Sequence, residues 1–493
     1  MSMIASQPSR ESRRQEVQQA VKNACDHMRA DGVNPRDYVE QLAWMFFLKA
    51  FDEAERRREA ESAFGQESYQ HRLPVALRWA TWSQRTNKPD ELLRFVDGDL
   101  WPELRKLGAD SVAQQFDRIF STVRNHCRSG SSLAKVVAQV DRLHFHDAED
   151  IIVLSEIYEG LLKDVAADSA GYAGEFYTQR HLIQAMVAAV DPQPGERVYD
   201  PCFGTAGFLT EAADFMRLHN PRQSGEALEK LQRGTFFGKE LKPLTYLLGS
   251  MNLLLHGIEG AALEMGSTLE THDQNVAEKH KYAVILSNPP YGGKMARDSQ
   301  DNFTIRSGST EVLFLQHIMA NLARGGRAAV VVPEGVLFRG GADAKVREKL
   351  LRGFDVVAVL SLPAGCFLPY TTVKTNVLFF NRPADGKTTE SVWFYELTND
   401  GFELKGTRRP IPGDQLPDFL AKLPTRAAGE NSWSVAAADL EKGGWDLTAR
   451  NPNRKADDAQ LPALELVRAI KVKEERILEL LGELEEILEV GNA

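Results

Sequence analysis

Asp200-Pro201-Cys202-Phe203-Gly204-Thr205-Ala206-Gly207-Phe208 follows the short β-type run Arg197–Tyr199 and opens a helical stretch over 207–218. A strand that turns through glycines into a helix leaves free N–H groups at the helix start and lets a ligand come close to the backbone. The Gly-x-Gly-x-x-Gly spacing of a pyrophosphate site is absent. The turn reads as a ligand-binding turn of another kind, or as a plain strand-to-helix connection. Further β-branched or aromatic runs stand at Thr235–Phe237, Tyr282–Leu286, Ala328–Val332, Val356–Leu360 and Asn376–Phe380. Helical stretches at 242–256, 311–323 and 343–351 separate several of them. Strands alternating with helices predict an α/β fold, a doubly wound, largely parallel sheet with helices on both faces. The last two strands lie close in sequence and are expected to add an antiparallel edge.

This sheet occupies residues 169–381, within a chain of 493 residues. Residues 1–168 carry helical signals almost throughout, with a long amphipathic stretch over 36–63 and helices expected at 111–121, 131–140 and 149–167. The charged run Glu53–Glu61 alternates in sign, as a solvated helix face does. Residues 382–460 are rich in Pro and Gly and read as a loop-rich extension. Over 461–493, Leu466, Ile470, Lys473, Ile477, Leu480, Leu484 and Ile487 recur at heptad spacing, a coiled-coil-like helix suited to subunit contact.

Hydrophobic residues at 43% and charged residues at 26% exclude a mainly disordered chain. The longest apolar run, Leu42–Leu48, is far short of the ~20 residues of a membrane span. Met1–Arg14 holds no apolar signal core. Cys25, Cys127, Cys202 and Cys366 are scattered, as reduced thiols of a cytoplasmic protein are, with neither a disulfide frame nor a zinc site. The net charge of −10 argues against a protein that grips a phosphate backbone unaided.

Two more stretches carry chemistry. Gly238-Lys239-Glu240 follows the second strand, where a carboxylate can accept hydrogen bonds from both hydroxyls of a ribose or stand as a surface charge. Ser287-Asn288-Pro289-Pro290-Tyr291-Gly292 follows the apolar strand Tyr282–Leu286. Two prolines stiffen the turn and remove two donors. The Asn288 side-chain oxygen and the Pro289 carbonyl are then free to accept from an exocyclic amino group, with Tyr291 placed to stack on a flat ring. A surface Pro-Pro turn calls for neither an Asn nor a Tyr there. His144 and His146 have no third ligand in view and read as surface groups. Met295–Ser309 reads as a mobile loop, with Lys294, Arg297 and Arg306 either solvated or facing phosphate. Phe367 or Tyr370 offers a second stacking face or core packing.

Asn-Pro-Pro-Tyr resembles the catalytic tetrapeptide of S-adenosylmethionine-dependent amino-methyltransferases. With Gly174–Arg180, Asp200–Leu209, Phe237–Glu240, Met251–Gly257, Val331–Phe338 and Leu362–Asn376 in this order, the chain resembles the modification subunits of type I restriction–modification systems. The resemblance implies an N6-adenine DNA methyltransferase whose cofactor is S-adenosyl-L-methionine. It implies that Glu175, Phe176, Tyr177, Thr178, Gln179 and Arg180 close over the methionine part. Asp200, Gly204, Thr205, Ala206 and Gly207 would bind its amino-acid portion, Glu240 the ribose, and Ser267 and Thr268 the adenine side. Gln179 stands where the family usually has proline, and Ser267 where it often has Asp or Asn. Asn288, Pro289, Pro290 and Tyr291 would act on an adenine flipped out of double-stranded DNA, by direct in-line transfer with no metal and no covalent nucleophile.

The same tetrapeptide occurs in enzymes that methylate glutamine amides of proteins and in some RNA amino-methyltransferases, usually shorter chains. A degenerate cofactor-binding scaffold is the non-enzyme reading. The type I resemblance further implies partners: a specificity subunit that reads the DNA sequence, with two copies of this chain per specificity subunit, and a restriction subunit in the full complex. No membrane contact is expected.

Overall fold

The computed structural model describes residues 10–64, 69–108, 110–145, 178–220, 225–270, 276–368, 370–405, 408–448 and 450–453, with positions 471 and 474. The expected helix over 149–167, His146, and the heptad helix over 461–493 lie outside the described residues. Among the described residues no helix is long and apolar enough to cross a membrane.

Nine strands form one sheet: β1 Val198–Asp200, β2 Phe236–Glu240, β3 Ala262–Met265, β4 Tyr282–Ser287, β5 Leu322–Pro333, β6 Asp355–Ser361, β7 Thr375–Asn381, β8 Ser391–Glu396 and β9 Ser432–Ala436. Their order is β3-β2-β1-β4-β5-β7-β6-β8-β9. The first five are parallel, as strand–helix alternation predicts. The strand order reverses at β1, where β4 pairs on the side opposite β2, and the carboxyl ends of strands at such a reversal form a crevice. Apolar side chains fill both faces of the sheet in two separate clusters, which is why its strands read as near-continuous hydrophobic runs.

One expectation fails. β7 is antiparallel but lies between β5 and β6 instead of at the edge. The loop-rich stretch 382–460 also adds two strands to the sheet, β8 pairing parallel with β6 and β9 antiparallel with β8. Trp393 and Tyr395 of β8 are fully buried, with Trp393 stacked on Phe419 at 5.7 Å between centroids.

The N-terminal helices, including Arg10–Ala30, Tyr38–Phe64 and Gly130–Asp141, pack Trp44, Phe46, Phe47, Trp82 and Phe116 into their own core. That core takes in Leu247, Leu248, Met251, Leu254 and Leu255 of the helix Pro243–Leu255, which connects β2 to β3. Arg72 reaches across to Glu259 at 3.1 Å.

Candidate active site

The register of β1 with β2 and β4 brings Asp200, Glu240 and Asn288 to one rim of the sheet. Asp200 is 1% exposed. Its Oδ1 accepts from the Cys202 N–H at 3.1 Å and the Ser287 hydroxyl at 2.9 Å. Burial dominates over these two bonds and pushes its pKa up to about 7.

The turn that follows is open on one side and braced on the other. A Cβ at Gly204 (φ +55°) would meet nothing within 4 Å. Ala206 holds φ +64° while fully buried, a left-handed conformation unusual for a residue with a Cβ. Behind the turn, Asn252 donates from Nδ2 to the Thr205 carbonyl at 2.8 Å. A Cβ at Gly249 would lie 2.6 Å from the Gly204 carbonyl oxygen, so the supporting helix needs glycine at this point. Asn252 lies within the Met251–Gly257 stretch quoted for the resemblance, but its task appears only in three dimensions.

Glu240 is buried, accepting from the Gly204 N–H at 3.0 Å and the Lys242 N–H at 2.9 Å. A carboxylate at this strand end is the kind of group that accepts hydrogen bonds from the hydroxyls of a diol. Leu241, 62% exposed, and Met265, which pairs with Glu240 across β2–β3, keep apolar surface in water beside it. Sequence reasoning missed both, though Leu241 directly follows the acid. The Thr268 hydroxyl donates to the Pro201 carbonyl and so braces the turn, while Ser267 is half-buried next to it. An acid for a diol, an open glycine turn at a helix start and apolar surface nearby fit an S-adenosylmethionine-sized ligand.

At the end of β4, Asn288 donates from Nδ2 to Thr178 Oγ1 at 2.9 Å, and its Oδ1 accepts the Tyr291 hydroxyl. Pro289 is buried and Pro290 half-buried. Tyr291 packs inward at 8% exposure, and burial pushes its phenol well above the usual range. The expected outward stacking ring is therefore folded in here. Gly292 (φ +75°) donates its N–H to Glu311 Oε1 at 2.7 Å, and the Ser309 hydroxyl donates to the other oxygen. Glu311, in the first turn of the helix Thr310–Asn321, thus fastens the loop after the tetrapeptide. A single acid in a helical pattern gave no sequence sign of this.

Thr178 is buried and Gln179 half-buried, while Glu175, Phe176 and Tyr177 lie outside the described residues. Arg180 ion-pairs with Glu211 at 2.9 Å and Asp214 at 3.7 Å on the neighbouring helix Gly207–His219. Phe367 is 1% exposed and belongs to the core, not to a stacking face, and Tyr370 is half-buried. Lys294 and Arg297 are exposed, and Arg306 pairs with Asp301 at 2.8 Å.

Beside Tyr291 lies a polar knot unforeseen from sequence. Asp400, 1% exposed, accepts from Arg408 at 2.6 Å, from the Cys366 thiol at 3.3 Å, and pairs with His181 at 3.2 Å. Burial alone would raise its pKa, but the bonds from His181 and Arg408 outweigh it and hold it down at about 2. The knot joins the 399–410 segment to the helix that follows Thr178 and to the loop before β7.

A model of the N-6 DNA methylase family matches residues 149–459, and one of the HsdM N-terminal domain matches 17–140. The chain is 33% identical to the type I restriction enzyme EcoEI methylase subunit of Escherichia coli, over 96% of this chain and 97% of that one. The chain belongs to the type I restriction enzyme methylase subunits. Among solved structures, a modification subunit ascribed to a type I restriction enzyme of Vibrio vulnificus superposes with a TM-score of 0.81 at 33% identity. That match covers 91% of this chain and 99% of the other. A chain from a study of complex assembly in the type I restriction–modification system matches at 39% identity and a TM-score of 0.69, covering 97% and 99%. As a type I methylase subunit the chain is an N6-adenine DNA methyltransferase. Membership in this methyltransferase family implies S-adenosylmethionine as methyl donor.

Proposed function

We propose that the chain methylates the N6 amino group of an adenine flipped out of double-stranded DNA, with sequence recognition supplied by a separate specificity subunit. The observation that carries this reading is Asn288, held at the end of β4 beside the Asp200 turn by bonds to Thr178 and Tyr291. Two acceptors, Asn288 Oδ1 and the Pro289 carbonyl, suit the two N–H groups of an amino nitrogen and turn its lone pair toward the cofactor side of the rim. An amino group inside the duplex is engaged in pairing, so the base must leave the stack to reach them.

Asp200, Gly204–Gly207, Glu240 and the Leu241–Met265 surface would hold S-adenosylmethionine, with Thr178 next to Asn288 at the meeting of the two ligands. Ser267, Gln179, Arg180 and the 175–177 segment complete the proposed cofactor set. When bound, the cofactor supplies an electrophilic methyl group on a sulfonium sulfur. The chain's own contribution is alignment: Asn288 Oδ1 and the Pro289 carbonyl would hold the amino nitrogen in line for direct methyl transfer, and the proton it sheds would pass to solvent. Tyr291 turns outward to stack on the base once the hydroxyl leaves Asn288. The partners we propose are DNA, one specificity subunit for two copies of this chain, and a restriction subunit in the full assembly.

Methyl transfer from labelled S-adenosylmethionine to mixed-sequence DNA tests the reading, with and without the specificity subunit and with Asn288→Ala as control. Label on adenine N6 that needs the partner and disappears in the variant is expected. Label on protein or RNA instead would overturn it.

A further inference from the structure

A base that leaves the stack leaves a gap, and something must compete for the space it vacates. β5 runs beside β4, with Ser287 opposite Val330, so the turn Glu334–Phe338 emerges at the same end of the sheet as Asn288. Its last residue, Phe338, is 52% exposed. The backing is rigid: Val336 and Leu337 are each 1% exposed. Arg347, itself 1% exposed, donates to the Val336 carbonyl at 2.7 Å. The Leu447 N–H donates to the Leu337 carbonyl at 2.9 Å. The turn is also stitched to the loop before β7, the Glu334 N–H donating to the Lys374 carbonyl at 2.9 Å and the two side chains pairing at 2.8 Å. Val373 on that loop is 47% exposed. After Phe338, Gly340 and Gly341 border open space, and a Cβ on either would meet nothing within 4 Å.

Phe338 is thus an exposed ring at the tip of a turn whose Val336 and Leu337 are buried and whose backbone is tied down on both sides. We infer that Phe338 is a wedge that enters the base stack beside the flipped adenine, with Val373 as its apolar shoulder. Apolar side chains on other DNA-binding proteins enter base steps in this way, trading unstacking for contact. The inference rests on the base-flipping reading. Phe338 touches neither reacting atom; it shifts the equilibrium between stacked and extruded base.

The test uses this chain in complex with its specificity subunit, on two duplexes that carry the site the wild-type complex labels. In one the target adenine is paired; in the other it faces an abasic position, where extrusion is easier. Phe338→Ala should slow single-turnover transfer on the paired duplex by about tenfold or more and on the abasic duplex by at most about twofold, because only the extrusion step is altered. Phe338→Trp should keep the paired rate. Equal rates for Phe338→Ala and wild type on the paired duplex, or equal losses on both duplexes, would overturn the wedge while leaving the methyltransferase reading intact. Wild-type protein that labels no adenine on either duplex would remove the flipping reading, and the wedge with it.

Discussion

The Tyr291 hydroxyl donates to Asn288 Oδ1, the oxygen that the proposed reaction assigns to the adenine amino group. Substrate and tyrosine therefore compete for, or share, one acceptor with two lone pairs. Tyr291→Phe removes the competitor and keeps the ring. Transfer should continue at a rate within about threefold of wild type, a change of well under 1 kcal/mol, whereas Tyr291→Ala should lose about a hundredfold or more with the stacking surface. Single-turnover methylation of a defined duplex reads both. A Phe variant as inactive as the Ala variant would mean that the hydroxyl itself is required.

Asn252 supports the Asp200–Gly207 turn through the Thr205 carbonyl. Asn252→Ala breaks the bond to the Thr205 carbonyl and leaves that carbonyl short of a partner, a loss of about 1–3 kcal/mol. The KM for S-adenosylmethionine should rise by about tenfold or more, with a much smaller change in kcat. Titration calorimetry with the cofactor, or its reaction product, gives the same comparison without turnover.

Asp200 makes stability depend on pH in a particular direction. Its folded pKa of about 7 exceeds the ordinary value of 3.8, so the folded state holds the proton more tightly. The stabilisation is complete below about 3.8 and is lost as pH rises through 7. Without cofactor, Tm should fall between about pH 4 and 7, and Asp200→Asn should flatten that part of the profile. A wild-type slope that persists unchanged in the variant would assign it to other groups.

The Asp400 knot works in the opposite sense, since its depressed pKa means stability present above about 3.8 and lost as pH falls toward 2. Asp400→Ala leaves Arg408, 6% exposed, with a buried charge and no carboxylate, and should cost about 3–5 kcal/mol. Denaturant midpoints of the purified chain measure this.

Asp200, Glu240 and Asn288 were legible because each ends a strand whose hydrophobic run announces it, and the strand order then puts the three together. The run Val392-Trp393-Phe394-Tyr395 carries as strong a strand signal, but its Pro- and Gly-rich surroundings mask it, so the local pattern does not predict β8 and β9. The place of β7 between β5 and β6 follows from long-range pairing, which no local pattern encodes. Asn252, Glu311 and Asp400 act through partners 47, 19 and 8 to 219 residues away, so their roles are invisible until the chain has folded. The inward turn of Tyr291 belongs to the same class.

The helix Pro243–Leu255 lends Leu247, Leu248, Met251, Leu254 and Leu255 to the N-terminal core while its Gly249 and Asn252 bear on the Gly204–Thr205 turn. Neither half of the molecule owns it. The two halves should then melt as one cooperative unit, with cofactor protecting amides of the N-terminal helices from hydrogen exchange as well as those near the turn. A catalytic fragment cut free of residues 1–145 would carry five bare apolar side chains on the very helix that steadies its ligand, and should lose solubility and cofactor affinity together.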